Sequence, residues 1–143
     1  MTETMRDRAG ALALPEPVRA YIQGWNDHDS AAVARSMTPD GTYIDPTTPA
    51  PLPPEALAGY VDVTLAALPD LQFVIDGTVI AGERMALQWR MLGTHTGPLP
   101  GLPEPTGRRC DLPGVDVITF GPDGVRSIVG YFDQKTLLEQ LSS

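Results

Sequence analysis

LPGVDVITFGPDGVRSIVGYF, residues 112–132, carries two apolar runs on either side of a Gly-Pro-Asp-Gly turn. Short runs rich in valine, isoleucine and phenylalanine, bounded by such a turn, read as the two strands of a hairpin. Asp116 stands out within it, a carboxylate with valine on both sides. Strand alternation groups it with Ile118 and Phe120, which are core residues rather than surface ones.

Upstream of this hairpin, LQFVIDGTVI and RMALQWRMLGTHTG read as two more strands joined at Ala-Gly-Glu. In the second of them Leu87, Trp89, Met91 and His95 fall on one face, and Gln88, Arg90 and Thr94 on the other. A proline-rich excursion, PLPGLPEPTGRR, leads back to Cys110. Downstream, Asp133 is placed to cap a closing helix, QKTLLEQL.

The first half reads differently. Leu14, Val18, Tyr21, Ile22 and Trp25 recur at helical spacing, and Pro17 suits a first helical turn because its missing N–H costs nothing there. Ser30 is placed to cap a short second helix, SAAVARSM, and Pro-Asp-Gly to turn the chain into a strand, TYID. Five prolines between Asp45 and Glu55 rule out regular structure. A third helix then runs from near Pro54 to about Leu68. Helices clustered early and an antiparallel meander late argue for an α+β fold, its sheet wrapped around the helices. A sheet so curved leaves an open end, which is a ready pocket.

With 143 residues and 42% apolar content, the chain is about one domain long. Residues 1–13 read as a flexible arm ahead of a single domain over 14–143. A formal charge of −8 repels a phosphate backbone or an anionic membrane, so neither nucleic acid nor a membrane is the expected partner. One cysteine, Cys110, closes no intrachain disulfide, and no Cys/His spacing suggests a metal site. These features suit the cytoplasm. Neither glycine-rich phosphate-binding spacing occurs, so no cofactor is indicated.

Three residues are chemically out of place. Asp45 ends a strand in apolar company, Asp116 interrupts one, and Tyr21 puts a hydroxyl on a core stripe. Taken singly, each has a structural explanation: a turn aspartate before proline, a solvent-facing carboxylate, a packed tyrosine. Taken together, they form an acid/base set in which one carboxylate, in a wetter spot, stays ionised while a drier one keeps its proton.

VRAYIQGWNDHDSAAVARSMTPDGTYIDP and LPGVDVITFGPDGVRSIVGYF resemble the opening and the late hairpin of the ketosteroid isomerases. By them the chain is identified as a member of the NTF2-like superfamily, which also holds the SnoaL-like polyketide cyclases and the limonene epoxide hydrolases. The resemblance implies a cone, a cystatin-like curved antiparallel sheet around N-terminal helices with a deep apolar pocket. It puts Tyr21 on the isomerases' oxyanion-hole tyrosine, Asp45 on their general base and Asp116 on their protonated aspartate. Tyr60 falls near a supporting tyrosine. The long excursion before Cys110 is similar to the cyclases instead, and there His95 or Asp133 is the alternative acid/base group. The Asp-Arg-Asp arrangement of the epoxide hydrolases is not placed.

The expected activity is therefore removal of a proton next to the carbonyl of a hydrophobic ketone, a steroid or a polyketide, without cofactor or metal. Double-bond isomerisation is the first outcome, aldol ring closure by a polyketide cyclase the alternative, and a non-catalytic binding module the second alternative. Trp25, Phe73, Trp89, Met91, Val117 and Phe132, with Tyr60 and His95, are the expected pocket wall. Pairing of outer sheet faces is expected to give a homodimer.

Overall fold

Helix α1, Glu16–Asn26, forms where the stripe predicts it, with Pro17 in its first turn and Val18, Tyr21, Ile22 and Trp25 buried. In this computed structural model residues 14–142 are described; the arm expected over 1–13 lies outside them. His28, at φ 59°, reverses the chain into α2, Ser30–Arg35. The cap of α2 is Asp29 rather than the expected Ser30. Asp29 has the extended backbone that a cap requires, and its carboxylate accepts the Ala32 N–H at 3.0 Å. A Cβ at Gly24 would lie 2.9 Å from Val33 Cγ2, so glycine allows α1 and α2 to approach this closely.

Strand β1, Met37–Ile44, includes the Pro-Asp-Gly segment expected as a turn. That segment is instead an irregularity within the strand, whose pairing jumps from Met37–Val125 to Thr42–Ser127. Helix α3, Pro54–Ala67, begins at the expected proline after the irregular loop. Strands β2 (Gln72–Ala81), β3 (Arg84–Thr94), β4 (Arg109–Gly121) and β5 (Gly124–Phe132) make the antiparallel meander. The β2–β3 turn places Gly82 at φ 62°, a conformation that favours glycine. Helix α4, Gln134–Ser142, closes the chain; Asp133 caps it, accepting from Lys135 N and Thr136 N.

The sheet order is β1-β5-β4-β3-β2. Strand β1 lies beside β5 and parallel to it, so the sheet is antiparallel only in its meander. No local signal marks this pairing, because it joins segments about eighty residues apart in sequence. The helices fill the concave face, where Leu57, Val61, Leu71, Leu87, Leu112 and Ile118 are almost wholly buried. Burying each such side chain contributes roughly 1.5–3 kcal/mol. This packing leaves a cavity of about 280 Å³ under the sheet.

The excursion between β3 and β4 is pinned at both ends. Thr96 and Gly97 donate their N–H groups to the Ala67 carbonyl at 3.1 and 3.2 Å, closing the loop onto the end of α3. A Cβ at Gly97 would come 1.9 Å from the Ala66 carbonyl oxygen, so only glycine fits there. At the far end Thr106 reaches the Leu141 carbonyl at 2.5 Å. Between these ties Leu99 and Pro100 reach the cavity as part of its wall.

Candidate active site

Asp45 follows directly on β1, at the edge of the cavity. Four donors converge on its carboxylate. Thr47 gives its N–H and its hydroxyl to Oδ1 at 2.7 and 2.6 Å; Tyr43 and Tyr60 give their hydroxyls to Oδ2 at 2.6 and 2.5 Å. Each of its two oxygens accepts two hydrogen bonds. Asp45 is thus both the turn-former that its proline neighbour suggests, through Thr47 N, and a cavity residue.

Asp116, on β4, lies across from Asp45. It pairs with Gly130 of β5, and Ile44, beside Asp45, pairs with Val129. A Cβ built at Gly130 would sit 3.0 Å from Asp116 Oδ1 and 3.3 Å from Asp45 Cβ. A glycine's missing side chain is therefore what separates the two acids. Burial, reinforced by the Asp45 charge, pushes the Asp116 carboxyl up to about 7, and the nearby Trp89 indole opposes that shift. That indole N–H lies outside hydrogen-bonding geometry, however, and is left buried without an acceptor.

The expected contrast of a wetter and a drier acid is not what separates them. Asp45 and Asp116 are both 5% exposed. They differ in donors: four for Asp45 and, among the described residues, none in bonding geometry for Asp116. Burial is a poor discriminator here because the cavity covers both groups equally.

Tyr21, from the buried stripe of α1, joins them. Burial raises its phenol well above the usual range, and the charges of Asp116 and Asp45 add to this. Tyr43 and Tyr60 are raised as well, burial again being the largest cause. All these hydroxyls are therefore kept protonated as donors. Because Tyr43 and Tyr60 have spent their single protons on Asp45, Tyr21 is left to meet a ligand oxygen.

Apolar and aromatic side chains surround this polar end. Trp25, Phe73 and Trp89 meet edge to face at centroid distances of 5.3 and 5.2 Å, and Phe132 continues the belt 6.1 Å beyond Trp89. Asn26 seats Phe73 by accepting its N–H at 2.7 Å and donating to its carbonyl at 3.0 Å. A Cβ at Gly114 would lie 2.2 Å from Trp89 Cη2, so glycine makes room for the indole. Trp25, Tyr60, Phe73, Trp89, Met91 and Phe132 line the cavity as expected.

Two expected wall residues are elsewhere. Val117 belongs to the outer face, since its neighbour Asp116 points inward and strand side chains alternate. His95 is fully buried in the loop tie. Thr106 N donates to its Nδ1 at 3.2 Å, and its Nε2 finds no partner. Asp133 is spent on its helix cap, which holds its carboxyl below the usual range. Sequence reasoning missed Tyr43 and Thr47. Tyr43 was findable, because two residues before Asp45 on one strand means the same face; the Thr47 contact depends on a loop bent by prolines.

A curved sheet closed over helices, with a polar end in an apolar cavity, defines an NTF2-like protein. The family model of the SnoaL-like domain matches residues 18–129, and the chain belongs to that family. A candidate SnoaL-like polyketide cyclase from Jannaschia sp. CCS1 superposes with a TM-score of 0.76 at 22% identity, over 90% of this chain and 92% of that one. IdmH, a candidate polyketide cyclase from Streptomyces antibioticus, gives 0.75 at 22%, covering 87% of this chain and 95% of its own. A protein of ketosteroid isomerase-like fold from Catenulispora acidiphila, solved with trimethylamine, gives 0.76 at 20%, over 89% and 92%. At such identities the likeness establishes the fold. No curated protein sequence matches the chain.

Proposed function

We propose that this protein is an acid/base enzyme acting on an apolar, enolisable carbonyl compound, and that its reaction is the intramolecular aldol closure of a polyketide cyclase. One observation carries the chemistry: two buried carboxyl groups and a free phenol share one end of a cavity whose walls are otherwise mostly apolar. Proton removal next to a carbonyl needs a base, a donor for the enolate oxygen and exclusion of water, and this end supplies all three. A positioned base is worth about 10²–10⁴ in rate, and one preorganised donor a similar factor. Family membership and the loop over the cavity favour ring closure as the outcome. Return of the proton to a distant carbon, the isomerase outcome, uses the same trio of Tyr21, Asp45 and Asp116.

The test is conversion of a linear poly-β-ketone thioester and of a β,γ-unsaturated ketone, followed by mass spectrometry and ultraviolet absorbance. Cyclised product from the first, reduced at least 100-fold in Asp116→Asn and in Tyr21→Phe, supports the cyclase. Turnover of the second alone supports the isomerase. Equal inertness of wild type and variants on both, with a ligand still raising the melting temperature, leaves a non-catalytic binding module.

We also propose a homodimer joined through the outer sheet face. Ile44, Val129, Val117, Ala86 and Val79 lie in register across all five strands there, and Val79 is 72% exposed. No helix among the described residues is long and apolar enough to cross a membrane. With its one cysteine buried and unpaired, we infer that the protein works in the cytoplasm.

A further inference from the structure

We propose that Asp116, and not Asp45, is the carboxyl group that exchanges the substrate's proton, while Tyr43, Tyr60 and Thr47 hold Asp45 as a fixed anion beside it. The inference rests on the proton-transfer reading of the cavity, and it reverses the assignment that the resemblance to the isomerases implies.

The two acids differ in what surrounds them. Asp45 accepts four hydrogen bonds between 2.5 and 2.7 Å, and two of them come from the buried Tyr43 and the half-buried Tyr60, whose rings pack together. All four lone-pair positions of its carboxylate are occupied, so to take a proton it would have to release at least one of those donors. Asp116 carries no such shell. It is equally buried and faces the cavity, and beside it stands the indole N–H of Trp89, a buried donor with no acceptor. A donor without an acceptor, next to an acid without donors, is the arrangement for a negative charge that comes and goes. When Asp116 gives up its proton, Trp89 can donate its N–H to the new anion. When the proton returns, the indole waits unpaired.

The groups facing Asp116 complete the account. Tyr21 comes from α1, Tyr43 and Asp45 from β1 and its end, Trp89 from β3 and the bare backbone of Gly130 from β5. Among the described residues no cation pairs with it. The fixed charge of Asp45, one glycine's width away, works against a second anion, so proton affinity at Asp116 stays high enough for it to act as a base and then as an acid.

The step balances with these groups alone. The substrate's C–H bond breaks, its proton passes to the Asp116 carboxylate, and the electron pair moves onto the carbonyl oxygen, which accepts a hydrogen bond from Tyr21. In ring closure the enolate carbon then bonds to a second carbonyl carbon of the same molecule. The alkoxide so formed takes the proton back from Asp116. Nothing is oxidised or reduced.

The experiment is a carbon-13 titration of the full chain labelled at the aspartate carboxyls, in wild type, Asp116→Asn, Asp45→Asn and Trp89→Phe. The expected result is a carboxyl step near pH 7 that vanishes in Asp116→Asn. In Asp45→Asn it remains but moves to lower pH, because the neighbouring charge has gone. In Trp89→Phe it moves to higher pH, because the donor that favours the anion has gone. A neutral step that vanishes in Asp45→Asn and survives in Asp116→Asn overturns the proposal, as does the absence of any carboxyl step near neutrality in wild type. The titration needs no substrate, so its outcome is independent of whether the ketone assays succeed. If the titration succeeds and every ketone is inert, the function is wrong; if the ketones turn over and the titration fails, the assignment is.

Discussion

Asp116 shows how one residue can be unfavourable to the fold and suited to chemistry. Its carboxyl binds a proton more tightly in the folded chain than in the unfolded one, being raised from 3.8 to about 7. A raised acid contributes no penalty below its unfolded value and a full one above its folded value, so stability falls as pH climbs through that window. The penalty above pH 7 is roughly 4 kcal/mol, taking about three pKa units at 1.36 kcal/mol each. Asp116→Asn, which removes the charge and keeps the shape, is therefore expected to melt above wild type at pH 8 and to lose that advantage toward pH 4; calorimetry across the range checks it. The opposite holds beside it. Tyr43→Phe takes one donor from the Asp45 anion and is expected to lower stability by about 1.5–3 kcal/mol in urea unfolding at pH 7. Sequence alone named Tyr21, Asp45 and Asp116, because charge and hydroxyl in apolar company are visible by composition. It did not show which acid carries the donors, since Tyr60 and Thr47 reach Asp45 only once α3 and the proline loop have folded back over β1.

Among the elements, most were legible and their partners were not. Helix α1 and the β4–β5 hairpin follow from spacing and turn residues that act within a few positions of one another. Glycines then set how closely elements approach, and a sequence does not reveal which glycines do so. Gly114 and Gly97 are the sharpest cases. Gly114→Ala puts a methyl group onto the Trp89 ring, and is expected to displace the indole from Asp116, seen as a shifted tryptophan emission and a loss of turnover. Gly97→Ala drives a methyl into the backbone carbonyl of Ala66, which cannot move aside as a side chain can. It is expected to cost about 1–3 kcal/mol, as overpacking does, and to raise amide exchange across residues 97–108. The wall of the cavity at Leu99 and Pro100 should loosen with it.

Among the described residues, the molecule is a sheet with one face covered and one bare. Helices occupy the concave side, and the convex side keeps a registered apolar row together with Tyr131, which is 56% exposed. Sedimentation is expected to give twice the 15.3 kDa chain mass at micromolar concentration, and Val79→Glu combined with Tyr131→Glu to return the monomer without loss of fold. A monomer in wild type removes the dimer and leaves the cavity chemistry untouched. What the sequence determined unaided was the kind of elements and their order, and it marked Tyr21, Asp45 and Asp116, three residues that the fold brings to one cavity, as out of place, because each is decided by neighbours a few positions away. Tertiary structure alone decided that β1 pairs in parallel with β5, that Val117 faces outward while Trp89 turns its unpaired N–H toward Asp116, and that one acid is clothed in donors and the other bare. Those outcomes depend on contacts between segments far apart in the chain, where the position of a single hydroxyl or a missing methyl outweighs any local preference.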